Sequence, residues 1–362
     1  MSGLNPQQRE AIHYLDGPLL VLAGAGSGKT RVITQKIAYL VQDCGFQSRN
    51  IAAITFTNKA AKEMQERIGK ILSPAQAGDL QISTFHSLGV RILREEAKAL
   101  GYKPRFSIFD SADCAGILSE AAGTVDKATV RILQSLISNW KNALVTPEAA
   151  RHLATDEHQK LAANAYLSYE ATLKAYQAVD FDDLIGLPVK LFTEHPEIAD
   201  KWQNRLRYLL VDEYQDTTYA QYDLLQTAFD GSDAVFTAVG DDKQRIMGWA
   251  GAMNDAFDQF ENDFGARRIT LLSNWRSHAD LVLIQHEIAR RIDDNVEAVQ
   301  AQGTREIEGE VSAIWQFRNA DDENNYLAEW VRREVQSGRV APHDVGILIR
   351  MRADHVEGEI AP

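Results

Sequence analysis

Short apolar runs, each followed directly by a polar turn, recur along this chain and constrain its fold more than any other feature. Their apolar residues are consecutive, which is typical of strands buried on both faces of a parallel sheet. Helical patterns at residues 30–42 and 58–72 separate some of these runs. The alternation predicts an α/β doubly wound domain, whose ligands bind beyond the carboxyl ends of the strands. The runs span residues 18–22, 51–56, 80–83, 208–211, 235–239 and 269–272.

The stretch from about residue 90 to residue 178 departs from this pattern, because helical periodicity rich in leucine, alanine and isoleucine replaces the strand signal. After Asn274 a second series follows, with a helix at 278–292, a strand at 311–317, a helix at 322–336 and a strand at 345–350. A chain of 362 residues has room for two or three domains. We therefore expect a first α/β domain at 1–89 and 178–272, an all-helical insertion at 90–177, and an incomplete second α/β domain at 273–362.

Composition excludes some classes of protein. No apolar run approaches the roughly 18–20 residues that span a bilayer, and the polar start lacks the apolar core of a signal peptide. Cys44 and Cys114 are far apart and lack metal-ligand spacing, as expected in a reduced cytoplasm. The net charge of −13 argues against a passive coat on nucleic acid. Residues 1–110 nevertheless carry 14 Lys and Arg against 9 Asp and Glu, which fits contact with a polyanion there.

The first run leads into a glycine-rich loop, Ala23–Thr30, that opens a helix. Such a loop turns its backbone N–H groups towards phosphate oxygens, and the helix N-terminus adds partial positive charge. Lys29 is expected to reach the β- and γ-phosphates, and the Thr30 hydroxyl to bind Mg²⁺. Ala23 stands where the strict pattern has glycine. The alternative is a turn without a ligand, but the strand–loop–helix context favours a nucleotide site.

A second chemical signal is the acidic segment Asp212–Asp216, which follows the run at 208–211. Consecutive carboxylates at a strand end repel each other unless a cation or a hydrogen-bond donor compensates them. Asp212 is predicted to hold Mg²⁺, directly or through water. Glu213 is then placed to orient and deprotonate an attacking water. A solvated acidic strand end is the alternative, and the preceding phosphate loop favours the catalytic interpretation.

Further segments carry a recognisable pattern: Leu4–Gln8, Ile54–Ala61, Ile82–His86, Ser138–Asn142, Val179–Leu184, Gly240–Trp249 and Asn274–Ser277. Taken together with Asp212–Asp216, they resemble UvrD/Rep-type (PcrA-like) superfamily 1 DNA helicases. The order and spacing of these segments match that family over essentially the whole chain. The resemblance implies a RecA-like P-loop NTPase domain with a parallel sheet, an all-helical insertion and the start of a second RecA-like domain. In that family Leu4–Gln8 resembles the Q motif, Ile54–Ala61 motif Ia, Asp212–Asp216 motif II, Gly240–Trp249 motif III and Asn274–Ser277 motif IV.

The resemblance also implies roles for individual residues. Gln8 would recognise the adenine edge, Gln244 would contact the γ-phosphate, and Arg276 would act as an arginine finger. The catalytic residues are then Glu213, Gln244 and Arg276, and the metal ligands are Thr30 and Asp212. The implied ATP-binding residues are Gln8, Ala23, Gly24, Ala25, Gly26, Ser27, Gly28, Lys29, Thr30, Arg31 and Trp275.

A track for single-stranded DNA is implied in the same way. Aromatic faces stack on any base and hydroxyls bind phosphate, so these side chains give affinity without sequence specificity. Core packing is the alternative for each aromatic residue. The residues of the predicted track are Phe56, Thr57, Asn58, Thr84, Phe85, His86 and Trp249.

Motifs III and IV depart from the family pattern at four positions. Lys243 replaces an acidic residue, Met247 a tyrosine, Ala250 an arginine and Trp275 a tyrosine. Loss of the ring at residue 247 is expected to weaken or reshape base stacking in motif III. Trp275 keeps an aromatic ring that can pack against adenine.

The resemblance implies an ATP-dependent helicase and translocase of DNA repair or replication. It would move 3′ to 5′ on single-stranded DNA or a 3′-tailed duplex, with ATP and Mg²⁺ as cofactors. Motifs V and VI of the family are not found before Pro362, so we expect a fragment that lacks the rest of the motor, or a short form that needs a partner protein. The alternative function is an ATP-switched DNA-binding adaptor in a repair or defence complex. A P-loop kinase is disfavoured, because no acceptor pocket or lid pattern is evident.

Overall fold

A computed structural model of the chain describes residues 3–229, 234–248, 251–291, 296, 298–302 and 315–348. The chain divides into two compact units, Met1–Arg305 and Glu306–Pro362. The predicted three-part domain organisation stays a prediction. Among the described residues, none of the helices combines the length and the apolar composition that a membrane span requires.

The larger unit is built on a parallel six-stranded sheet. Each of the six apolar runs forms one strand, which confirms the predicted α/β fold. The strand order is β3-β2-β6-β7-β1-β8, and neighbouring strands pair in parallel throughout. The six strands are β1 (Leu19–Ala23), β2 (Ile51–Thr55), β3 (Gln81–Thr84), β6 (Tyr208–Val211), β7 (Val235–Gly240) and β8 (Arg267–Leu271). Two short parallel pairs join β4 (Ser107–Ile108) to β5 (Ala178–Val179), and β9 (Ser273–Asn274) to β10 (Gln300–Ala301).

Helices cover the sheet and form most of the segment from Phe85 to Ala175. Several begin at a side chain that accepts a backbone N–H of the first turn, as Asn5, Thr57 and Thr84 do. In the larger unit the described helices are α1 (Pro6–His13), α2 (Lys29–Gln42), α3 (Asn58–Gly69), α4 (Pro74–Ala77), α5 (Phe85–Glu96), α6 (Ser111–Ala122), α7 (Lys127–Asn142), α8 (Pro147–Leu153), α9 (Glu157–Ala175), α10 (Asp183–Glu194), α11 (Pro196–Arg205), α12 (Tyr219–Phe229), α13 (Ala256–Phe264) and α14 (Ala279–Arg290).

The sheet separates two hydrophobic cores, because successive residues of a strand point to opposite faces. Leu20 and Ile54 belong to the core that contains residues of α5, α10, α11, α12 and α13. Leu19 and Ala53 belong to the core that contains residues of α1, α2 and α3. A third core, which includes Cys114, joins α6, α7, α8 and α9. Burial on both faces explains why the strand sequences are continuously apolar.

The smaller unit contains α15 (Ala320–Gln336), close to the helix predicted at 322–336. The two strands predicted in this region are not seen where the structure describes them. Residues 315–317 and 345–348 have no strand assignment, and the remainder of both predictions, at 311–314 and 349–350, lies outside the described residues. The described residues of this region therefore give no support for a second sheet built from these two runs.

Candidate nucleotide and nucleic-acid site

The glycine-rich loop leaves the sheet at the carboxyl end of β1 and opens α2. Ala23 is the last residue of the strand, and Lys29 is the first residue of the helix. Inside the loop the Ser27 hydroxyl donates to the Gly24 carbonyl oxygen at 2.6 Å, and the Ser27 N–H donates to the same oxygen at 3.2 Å. Thr30 and Arg31 follow in the first turn of α2. The loop therefore has the strand–loop–helix setting that its sequence predicted.

Gly26 lies where the loop meets the segment that follows β8. Its φ of +76° favours glycine, and a Cβ atom added there would lie 2.6 Å from Asn274 Oδ1 and 2.7 Å from Arg276 Cβ. Asn274 Nδ2 donates to the Ala25 carbonyl oxygen at 2.8 Å, and the Trp275 N–H donates to the Gly26 carbonyl oxygen at 2.8 Å. The structure thus brings Trp275 and Arg276 to the phosphate loop. Asn274 was not among the predicted site residues, although it is the first residue of the motif IV segment Asn274–Ser277.

The two carboxylates of motif II follow β6 at the same edge of the sheet. Asp212 is buried, and burial together with the neighbouring Glu213 raises the pKa of its carboxyl group to about 7. Glu213 has a left-handed backbone with φ 50° and ψ 45°. Its Oε2 lies 3.0 Å from Lys29 Nζ. The phosphate loop and the candidate general base are therefore in direct contact.

A chain of hydrogen bonds joins Glu213 to motif III. Gln215 Nε2 donates to Glu213 Oε2 at 2.8 Å, and the Asp241 N–H donates to Gln215 Oε1 at 3.0 Å. Gln244 Nε2 then donates to Asp241 Oδ2 at 2.6 Å. A Cβ atom at Gly240 would lie 2.5 Å from Gln215 Oε1, so any other residue at this position would have to displace the Gln215 side chain. Gln215, which sequence reasoning did not select, links two predicted catalytic residues.

Gln8 lies against the phosphate loop, but its side chain is only 1% exposed. Nε2 donates to the Ser27 carbonyl oxygen at 2.9 Å, and Oε1 accepts the Asn5 N–H at 3.1 Å. An amide has two donor hydrogens and two acceptor lone pairs, so one of each remains for a nucleobase. Contact with a base requires a local shift of the residues that cover Gln8.

The predicted DNA-binding residues that the structure describes lie at the carboxyl ends of β2 and β3. Thr55 pairs with Thr84 in register, so Phe56 and Phe85 leave the sheet side by side. Phe56, Thr57 and Asn58 are exposed, and the hydroxyls of Thr57 and Thr84 cap the N-termini of α3 and α5. Helix N-termini are favourable sites for phosphate groups.

Phe85 is only 5% exposed and belongs to a hydrophobic core, which favours the core-packing alternative for this residue. Its predicted contact with DNA stays a prediction. His86 is partly buried, and burial lowers the pKa of its imidazole, so the ring is uncharged at neutral pH. Trp249 and Ala250 lie outside the described residues.

Phe181 is an aromatic residue that the predicted track did not include. Its side chain is 56% exposed, and its ring centroid lies 5.8 Å from that of His86. The signal in the sequence was a phenylalanine among three aspartates, which is an unfavourable setting for a core residue. The structure places it beside a residue of the predicted track.

Two of the unusual motif III positions can be located. Lys243 Nζ lies 2.7 Å from Asp242 Oδ2, and its N–H donates to Asp241 Oδ1 at 3.0 Å. The backbone of Met247 hydrogen-bonds Asp216, a carboxyl group whose pKa burial raises. Motif II and motif III therefore remain connected although the side chains of motif III differ from the family pattern.

Residues 4–265 match the family model described as the UvrD/REP helicase N-terminal domain. The ATP-dependent DNA helicase Rep of Escherichia coli (strain K12) is 50% identical over 278 residues, which cover 76% of this chain and 41% of that protein. Rep of Buchnera aphidicola subsp. Baizongia pistaciae is 37% identical over 348 residues, 96% of this chain and 51% of that protein. The ATP-dependent DNA helicase PcrA of Bacillus subtilis (strain 168) is 38% identical over 358 residues, 98% of this chain and 48% of that protein. The chain thus spans about half the length of the curated relatives it matches. Its motifs, its parallel sheet and these matches together confirm that the chain belongs to the UvrD/REP helicase family.

Proposed function

We propose that this chain forms the ATP-binding and single-strand-binding part of a DNA helicase that moves 3′ to 5′ on single-stranded DNA or a 3′-tailed duplex. The arrangement of the sheet is the observation that supports this most. The phosphate loop follows β1, the motif II carboxylates follow β6, and the described part of the predicted DNA track follows β2 and β3. Since the strands are parallel, all of these groups lie at the edge formed by the carboxyl ends of the strands. Glu213 follows β6, which lies between β2, on the side of the DNA track, and β1, which precedes the phosphate loop.

The residues at the phosphate loop fit a nucleoside triphosphate. Backbone N–H groups of the loop and the Lys29 ammonium would bind the β- and γ-phosphates. The γ-phosphate would compete with Glu213 for Lys29, because the two side chains are 3.0 Å apart. Release from Lys29 frees the Glu213 carboxylate to orient and deprotonate the attacking water.

The donor set also fits Mg²⁺. Asp212 offers a buried carboxylate whose pKa is raised to about 7, and a nearby cation would offset the cost of its negative charge. Thr30 offers a hydroxyl oxygen from the first turn of α2. A bound Mg²⁺ would neutralise charge on the phosphates during transfer. Gln244, Arg276 and Trp275 are proposed to contact the nucleotide from the other strand ends.

Single-stranded DNA would lie across the ends of β2 and β3. The exposed rings of Phe56 and Phe181 and the uncharged ring of His86 offer stacking surfaces to bases. The capped N-termini of α3 and α5 offer N–H groups to the phosphate backbone. These contacts do not distinguish one base from another, as a translocase requires. The hydrogen bonds from Glu213 to Gln244 offer a physical connection between hydrolysis and motif III.

The names of the relatives favour the helicase over the ATP-switched adaptor. Rep and PcrA are both named as ATP-dependent DNA helicases. Unwinding of a 3′-tailed and a 5′-tailed duplex, compared at equal concentration, tests the polarity. Unwinding of the 5′-tailed duplex alone would contradict the proposed direction.

The first experiment tests nucleotide and DNA binding separately. We expect the chain to bind a fluorescent ATP analogue with Mg²⁺ and a labelled single-stranded oligonucleotide. Lys29→Ala should weaken binding of the analogue by more than about tenfold, because it removes a charge-assisted contact to phosphate. Lys190→Ala is the matched control, since Lys190 is exposed on α10. Equal binding of the analogue by the Lys29 variant and the unsubstituted chain would overturn the assignment of the loop.

A further inference from the structure

Four ionisable side chains meet where the helices α7, α9 and α10 come together. Lys141 Nζ lies 2.7 Å from a carboxylate oxygen of Glu170, of Asp180 and of Asp183. Lys141, Asp180 and Asp183 are buried, and the Tyr169 hydroxyl donates to Asp180 Oδ2 at 2.9 Å. The same three carboxylates are close enough to one another to hold a metal ion, but the lysine ammonium occupies the position between them.

The charge state of this cluster follows from its composition. Burial alone would lower the pKa of Lys141, but Asp183, Asp180 and Glu170 hold it well above its usual value. The lysine is therefore charged at neutral pH. Removal of that charge would leave buried carboxylates without a cation, which is strongly unfavourable. The cluster fixes the distance between α7 and the start of α10.

Asp180 and Asp183 each accept a backbone N–H with one carboxylate oxygen and bond Lys141 with the other. The Asp183 N–H donates to Asp180 Oδ1 at 2.8 Å, and the Asp180 N–H donates to Asp183 Oδ2 at 3.1 Å. The other oxygen of each carboxylate, Asp180 Oδ2 and Asp183 Oδ1, bonds Lys141. One oxygen of each aspartate thus closes the turn 180–183, and the other attaches this turn to α7.

The next residue of α7 binds the same turn. Asn142 Nδ2 donates to Asp182 Oδ1 at 2.7 Å. Lys141 and Asn142 therefore hold all three aspartates of the turn. Phe181 is the remaining residue of the turn. It is 56% exposed, and its ring centroid lies 5.8 Å from that of His86. An exposed ring has few packing contacts of its own, so the backbone of the turn decides where it lies.

We propose that Lys141 is a positioning residue for single-strand binding. By holding the carboxylates of Asp180 and Asp183, it fixes the Phe181 ring beside His86, ready to stack on a base. This inference rests on the proposed DNA track. In it, the buried cluster around Lys141 preorganises one stacking surface of that track, the Phe181 ring. Lys141 itself touches neither nucleotide nor DNA.

The experiment compares two affinities in each variant of the full chain. Binding of a labelled oligothymidylate reports the DNA track, and binding of a fluorescent ATP analogue with Mg²⁺ reports the phosphate loop. We expect Lys141→Met and Phe181→Ala each to weaken oligothymidylate binding about tenfold, with binding of the analogue unchanged. Lys141→Arg should bind the oligothymidylate almost as tightly as the unsubstituted chain, because arginine keeps the positive charge. Lys160→Met, an exposed lysine on α9, is the matched control.

A double-mutant cycle separates positioning from general stability. If Lys141 acts through Phe181, the variant with both substitutions should bind oligothymidylate no more weakly than Phe181→Ala alone. Additive losses, or equal losses in both affinities, would overturn the proposal.

Thermal unfolding shows whether Lys141→Met folds; if it does not, Asn142→Ala tests the same turn through a single hydrogen bond. An unsubstituted chain that binds the analogue but not the oligonucleotide would overturn the DNA track and this inference together. Normal binding by Lys141→Met beside weak binding by Phe181→Ala would overturn the inference alone.

Discussion

Glu213 is the residue at which backbone strain and chemistry coincide. A left-handed backbone is costly for a residue with a Cβ atom and persists only where the surroundings impose it. Here the Glu213 N–H donates to Asp212 Oδ1 at 3.0 Å, while the side chain contacts Lys29 and Gln215. The strained turn separates two adjacent carboxylates, so that each meets a different partner.

We expect Glu213→Gln to slow ATP hydrolysis by about 10²–10⁴-fold, the range that a general base contributes. Binding of ATP should not weaken, because the amide keeps the shape of the side chain and no longer forms an ion pair with Lys29. Single-turnover hydrolysis and titration with a fluorescent ATP analogue measure the two effects. Hydrolysis at the unsubstituted rate would exclude Glu213 as the base.

At the scale of elements, α1 is held to α2 by a buried lysine. Lys36 Nζ donates to the carbonyl oxygens of Ala11 and Tyr14 at 2.9 Å and 2.6 Å, at the C-terminal end of α1. A cation is favourable there, because the last carbonyls of a helix carry partial negative charge. Gln8, near the other end of α1, bonds the phosphate loop. Both ends of α1 are therefore attached to the loop–helix unit that begins at Gly24.

Lys36 should make stability depend on pH. Burial lowers the pKa of its ammonium from 10.5 to about 7, so the folded chain binds this proton less tightly than the unfolded chain. The contribution of Lys36 to the free energy of unfolding should therefore rise as the pH increases from about 7 towards 10.5. One pKa unit corresponds to about 1.4 kcal/mol.

The measurement is urea unfolding at pH 7.5 and pH 9.5 for the unsubstituted chain and for Lys36→Met. The unsubstituted chain should gain more stability, or lose less, over this interval than the variant. Lys70→Met is a suitable control, since Lys70 is exposed at the end of α3. Identical pH dependence in Lys36→Met and the unsubstituted chain would show that this lysine does not titrate in the interval.

At the scale of the whole molecule, the predicted DNA track belongs to a chain whose net charge is −13. The described residues of the track offer rings, hydroxyls and helix N-termini, and burial keeps His86 uncharged near pH 7. Binding driven by such groups releases few counterions.

We expect the affinity for an oligothymidylate to fall by less than about tenfold between roughly 50 and 200 mM salt. Proteins that neutralise six to ten phosphates lose about 10³–10⁵ over the same range. Fluorescence anisotropy at several salt concentrations gives the slope. A loss of several hundredfold would show that lysine and arginine side chains, rather than rings, dominate binding.

The apolar runs predicted the six strands because burial on both faces of a sheet leaves few other sequences possible. Local motifs predicted the loop at Gly24 and the carboxylates at Asp212 for a similar reason, since each is a chemical unit contiguous in sequence. The burial of Phe85 could not be predicted, because exposure of a ring at a strand end depends on distant helices. In the Lys141 cluster, Lys141 bonds Asp180, which is 39 positions away along the chain, and no local pattern shows which carboxylates a lysine will meet.

The direction of α2 has a practical consequence. This helix starts at the phosphate edge of the sheet and runs for 14 residues, a length of about 21 Å, to the opposite edge. Cys44, which is half-buried, lies just beyond its end, whereas Cys114 is buried in the helical core. A thiol-reactive fluorophore attached at Cys44 would therefore lie far from the proposed nucleotide and DNA sites. Such a label could report the tumbling of the molecule or anchor it to a surface.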